Sequence, residues 1–119
     1  MAIPTSIKTL LSGDVVEWAR IEFKETWDAA ASLKSICAFA NDYDNTNGGY
    51  IVIGVQEENG RPAYPLKGVP TDKLDAYQKN IFAKCKLLRP TYTPIIGIET
   101  YQDKQFIVIW CPGGDNRPY

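Results

Sequence analysis

Histidine is absent from this chain. Without an imidazole there is no Ser-His or Cys-His nucleophile, no histidine general base and no H-E-x-x-H zinc site. Any catalysis must then run on carboxylates, lysines, a tyrosine or a bound metal. Cysteine is scarce. Cys37, Cys85 and Cys111 form no C-x-x-C pair, and their number is odd. That argues against a disulfide framework or a cysteine zinc site. Each lies in an apolar pattern, so each is expected to be a small buried hydrophobe. No apolar run approaches the ~18 residues of a membrane span. The opening "MAIPTSIKTLLSGD" has one lysine and a short apolar run, not the long apolar segment of a signal peptide. The expected location is cytoplasmic. The string G-x-x-x-x-G-K-[ST] does not occur, so nothing supports ATP binding in a phosphate loop. No internal repeat or linker is visible.

The 119 residues suffice for one domain with one core, and 45% apolar with 23% charged residues is ordinary for a globular protein. The net charge of −1 is unevenly spread. Residues 1–60 hold four basic and nine acidic residues, and residues 61–119 hold nine and five. An acidic half beside a basic half can hold a cation next to a polyanion. The pI near 5.4 argues against strong autonomous DNA binding.

Pro4 to Leu11 reads as a short amphipathic helix, with Thr5 or Ser6 as cap. Ile21 to Glu25 alternates apolar and charged residues and reads as a half-buried strand. Asp28 is positioned to cap a helix whose apolar residues are Ala29, Leu33, Ile36, Cys37 and Ala40. "YIVIGV", Tyr50 to Val55, is a nearly continuous apolar run, as in a central strand buried on both faces. Strand, helix, strand in this order predicts a parallel pair. "QEENGRPAYPLKGVP" is a loop with room for a short edge strand. Thr71 is expected to cap a second long helix with Leu74, Tyr77, Ile81, Phe82, Cys85 and Leu88 on its apolar stripe, closed by Pro90. Its polar side carries Lys73, Lys79, Lys84, Lys86 and Arg89. Ile95 to Tyr101 and Gln105 to Trp110 read as a hairpin around "QDK". The order β-α-β-α-β-β predicts an α+β sandwich: a mixed four-stranded sheet, two main helices and a short N-terminal helix.

The acids raise a geometric question. Glu17 lies five residues before Glu22, and residues five apart on a flat strand point to opposite faces. On a helix they stand about 140° apart. The two converge only if the backbone bends at Trp18 to Arg20. "DYDNTNGG" begins like an EF-hand loop, but its sixth residue is Asn47 rather than glycine and its twelfth is Ile53 rather than glutamate, so it reads as a turn. Gly48-Gly49 is expected to turn the chain into the buried strand with positive φ.

Three segments, "EWARIEFKET", "ICAFANDYDNTNGGYIVIGV" and "VIWCPGGDNRPY", resemble in order and spacing the Schlafen-type Alba-like domain. In that family a Glu lies five residues ahead of a Glu-Phe-Lys strand. A helix then ends in Ala-Phe-Ala-Asn, followed by Gly-Gly and a strand ending in Gly-Val. Here the pieces are Glu17, Glu22-Phe23-Lys24, Ala38-Phe39-Ala40-Asn41, Gly48-Gly49 and Gly54-Val55. "DYDNTN" is an insertion against the family pattern. The family also continues past Tyr119 into a strand with a Tyr-x-x-Arg-x-Gly-like motif and a C-terminal region. The expectation is therefore one domain, 1–119, from the N-terminal part of a longer protein.

The resemblance implies a nucleic-acid-binding domain of a bacterial transcriptional-regulator-like or RecG-related-helicase-like protein, without a cofactor and without a membrane. On the residues, the phosphate contacts expected are Lys24, Lys34, Lys73, Lys84 and Arg89. Trp18, Trp27, Tyr43, Tyr64 and Tyr92 are placed for base stacking. The resemblance also implies an alternative. Vertebrate Schlafens cleave structured RNA with three carboxylates and a divalent metal, and the matching positions are Glu17, Glu22 and Glu57, with Glu58 next in line. Bound Mg²⁺ or Mn²⁺ would activate water there without any histidine. A third reading is an interaction module that forms a homodimer through its sheet or a helix.

Overall fold

β2, Gly49–Ile53, is buried along its whole length. Its apolar residues on both faces need cover front and back, and the neighbouring elements supply it. The computed structural model describes residues 7–12, 20–41, 48–58, 61–88 and 92–112. In it β2 pairs in parallel with β1, Arg20–Lys24, and antiparallel with β6, Lys104–Cys111. β5, Ile95–Tyr101, completes the sheet in the order β1-β2-β6-β5. α2, Ala29–Asn41, connects the parallel strands, and α3, Thr71–Cys85, precedes the β5–β6 hairpin. α1 is the short helix Ile7–Ser12. β3, Glu57–Glu58, and β4, Arg61–Pro62, form a separate two-stranded ladder within the loop after β2. This is the α+β architecture expected from the order of the sequence patterns.

The pleat sends alternate residues to two different layers. Ile51, Ile53, Ile107, Ile109 and Cys111 meet Ile36, Phe39 and Ala40 of α2 and Leu74, Ile81 and Cys85 of α3. Phe23, Tyr50, Val52, Phe106 and Val108 face the opposite way, where Ile7, Leu10 and Leu11 of α1 lie with Val55 and Leu66. Both faces of the sheet are therefore covered.

Asp28 caps α2 as expected. The Ala31 N–H donates to its Oδ1 at 3.2 Å, and the Ser32 N–H donates to its carbonyl at 2.9 Å. Asp28→Ala is expected to cost about 1 kcal/mol and Asp28→Asn much less, read from the urea midpoint. The inward face of α2 is turned from the one expected. Ser32, Ile36, Phe39 and Ala40 are buried, while Ala29, Leu33 and Cys37 are only half-buried.

Thr71 does not cap α3. Pro70 holds the cap position with φ −56° and ψ 137°, and no side chain caps the helix. Thr71 is already helical, so its hydroxyl has lost the extended backbone from which a cap reaches back. It donates instead to Gln105 Oε1 at 3.4 Å. Phe82 is not part of the buried stripe. It is 42% exposed, because it sits about 100° around the helix from the fully buried Ile81. The hairpin turn is two residues rather than three. Gln102 and Asp103 have φ 52° and 61°, and Lys104 already pairs with Tyr101. Two left-handed residues match the twist of the flanking strands.

Candidate nucleic-acid interface

β1 carries its charged residues on the face that α2 covers. Phe23 enters the α1-side cluster, with Ile21 packed partly against it, so Glu22 and Lys24 point the other way. There the Ser35 hydroxyl of α2 donates to Glu22 Oε2 at 2.5 Å. Lys24 Nζ lies 3.8 Å from the same oxygen, and its side chain is only 23% exposed. The alternation read from "IEFKE" holds, but its polar side is a tethered pair beside a helix rather than an open strand face.

The chain leaves β2 by wrapping the end of β1. The N–H groups of Gly54 and Val55 both donate to the Lys24 carbonyl, at 2.8 and 3.2 Å. Gly54 has φ +109°, and an added Cβ would stand 2.9 Å from the Gly68 carbonyl carbon, so only glycine fits this crossing. Beyond it, Glu57 and Glu58 are exposed on β3, at the Lys24 end of β1, while Glu22 sits mid-strand facing α2. Glu17 and the expected bend lie outside the described residues, apart from Arg20, which opens β1. Among the described residues no group of three or more His, Cys, Asp or Glu could hold a metal ion. The described partners of Glu22 are the Ser35 hydroxyl and the Lys24 ammonium.

The cysteines offer neither ligand nor nucleophile. Burial, with a further push from Cys37, raises the Cys85 thiol to about 11. Burial likewise raises Cys37 and, most of all, Cys111. Thiols held protonated in this way are inert.

The lysines fall into distinct settings. Lys24 is held by Glu22. Lys34 on α2 and Lys73 on α3 are exposed, the latter next to Asp72 and two residues before Asp75. Lys84 is half-buried, and Arg89 lies outside the described residues. The clearest basic surface includes two residues outside the set expected to contact phosphate. Lys79 and Lys86 are exposed, and residues 76–88 contain no acid at all. Lys79 Nζ meets Asp75 Oδ2 at 3.0 Å, but both side chains are more than three-quarters exposed. Such a pair holds little energy and yields readily to a phosphate. Phe82 lies between these lysines at i+3 from one and i−4 from the other. The apolar periodicity of α3 concealed it, since any large hydrophobe near the stripe reads as core.

Of the aromatics placed for stacking, Tyr92 is buried and donates its hydroxyl to the Pro112 carbonyl at 2.6 Å. Trp27 is half-buried and donates Nε1–H to Asn80 Oδ1 at 2.5 Å, tying the start of α2 to α3. Tyr64 is 61% exposed. Trp18 and Tyr43 are outside the described residues.

The fold and this surface define an α+β domain with a mixed sheet, two helices across one face and a cation-rich helix end. Residues 17–119 match the family described as Schlafen, AlbA_2, and the chain belongs to that family. The solution structure of the N-terminal domain of a RecG-related protein from Nitrosomonas europaea is similar. It is 26% identical, with a TM-score of 0.71 over 93% of this chain and 75% of that one. The DIP2311 protein of Corynebacterium diphtheriae shares the fold at 15% identity and a TM-score of 0.57 over 92% of this chain. This chain spans only 25% of that protein's length. No curated protein matches the sequence. Among the described residues no helix is long and apolar enough to cross a membrane.

Proposed function

We propose that this domain binds nucleic acid, with the outer side of α3 as its contact surface, within a bacterial transcriptional-regulator-like protein. The observation that carries the reading is the run 76–88, with Lys79, Lys84 and Lys86 and no acidic residue, on a helix that packs its other side on the sheet. Lys34 is exposed on the adjacent helix α2. Membership in the Schlafen, AlbA_2 family and the likeness to a domain of a protein with an ATP-dependent DNA helicase name support the same reading. The formal charge of the whole chain is −1, so attraction must come from this local patch rather than from the net field.

A salt titration tests it. Affinity for a labelled oligonucleotide should fall as salt rises, and Lys79→Gln and Lys86→Gln should each weaken binding and reduce the log–log slope by about 1. Lys24→Gln should leave the slope unchanged, because that ammonium already serves Glu22. A slope of zero for the unmodified protein would sink the assignment.

A further inference from the structure

We propose that the α3 surface takes single-stranded nucleic acid, with one base stacked on Phe82 and the neighbouring phosphates held by Lys79 and Lys86. This rests on the nucleic-acid reading and narrows it to a class of ligand. Phe82 is 42% exposed on a helix whose large aliphatic residues, Leu74 and Ile81, are buried. Residues three and four apart on a helix are neighbours, so Lys79, Phe82 and Lys86 form one continuous strip. The strip is about 10 Å long, at 1.5 Å of rise per residue over seven residues. That length brackets one base with a phosphate on either side.

The choice between single strand and duplex follows from what each presents. A duplex offers phosphates with its bases already stacked, so an exposed phenyl ring gains nothing from it. Its binding then depends on the number of cations engaged. Lys79 and Lys86 on a net-negative domain supply only a small electrostatic share. A single strand offers unstacked base faces, and a flanked aromatic ring can add to that share without base identity. Among the described residues the other strongly exposed aromatic, Tyr64, makes the contrast. It follows the ladder that bears Glu57 and Glu58, and the nearby Lys67 is held by Glu25 at 2.7 Å. Its surroundings favour no polyanion.

The test measures anisotropy of labelled oligothymidylate and oligouridylate of about 12 nucleotides, and of a duplex of equal length, with the full chain at low salt. The single strands should bind more tightly than the duplex. Phe82→Ala should weaken single-strand binding roughly five- to a hundredfold and leave duplex binding unchanged. Phe82→Trp should retain it, and Tyr64→Ala should not matter. Circular dichroism of the Phe82→Ala protein confirms that this surface change leaves the fold intact. Binding of only one single strand reports discrimination by the sugar or the thymine methyl group, and loss of that binding in Phe82→Ala supports the stacking contact. A duplex bound as tightly as the single strands, or no effect of Phe82→Ala on single-strand binding, overturns the inference while leaving the broader reading in place. No binding of any probe overturns both.

Discussion

Gly48→Ala should destabilise the domain by about 2–5 kcal/mol, combining the strain of a left-handed residue with the cost of overpacking. Gly48 is buried with φ +75°, and an ideal Cβ there would lie 1.8 Å from the Cys111 carbonyl oxygen and 2.8 Å from its carbonyl carbon. Those atoms are backbone at the end of β6, where Cys111 pairs with Gly49. They cannot swing away as a side chain would. Relief requires opening the end of the β2–β6 ladder, the pairing that holds the central strand. Gly49→Ala is the informative comparison. Its Cβ would meet the Phe39 ring at 2.5 Å, a contact that a rotamer change can partly relieve. The urea midpoint should therefore fall further for Gly48→Ala than for Gly49→Ala. Equal midpoints for Gly48→Ala and the unmodified protein would contradict the close approach of Gly48 to β6.

Phe106→Ala should cost about 3–5 kcal/mol, the range for removing a buried phenyl ring. The ring is fully buried on the α1 side of the sheet, and it lies 3.1 Å from where a Cβ on Gly54 would stand. Its loss opens a cavity between Val52, Val108 and α1, on the layer that the two long helices do not reach. Phe82→Ala, by contrast, should change stability by less than about 0.5 kcal/mol, since it removes a ring already in water. The two variants delete the same atoms, so their difference in chemical denaturation isolates burial. Similar losses from both would mean that the α1-side layer contributes no more than surface contacts.

Much of the architecture was legible because it depends on local periodicity. The apolar run at Tyr50 to Val55 announced a central strand, and β2 lies between β1 and β6 with every residue buried. "IEFKE" announced alternating faces, and Phe23 and Glu22 do part company across the sheet. Asp28 announced a helix start because its side chain acts on backbone three residues away. The Gly48-Gly49 pair was recognisable as a turn into the strand, but not the carbonyl at Cys111 that makes Gly48 irreplaceable, since that atom arrives from 63 residues further along.

The site was less legible, for the same reason in reverse. Periodicity reports which residues are apolar on a helix, not how wide the covered stripe is. Phe82 therefore read as core on α3, and only the packing against the sheet left it in solvent. The lysines of α3 were visible as a polar side, yet Lys24 looked equally available until its pairing with Glu22 was seen. By itself, the sequence determined the order of elements, the central strand and the absence of histidine chemistry, because each follows from composition or from neighbours along the chain. The tertiary structure alone decided which charges are tethered and which aromatic ring is free to stack. Those properties depend on what another, distant segment brings against each face.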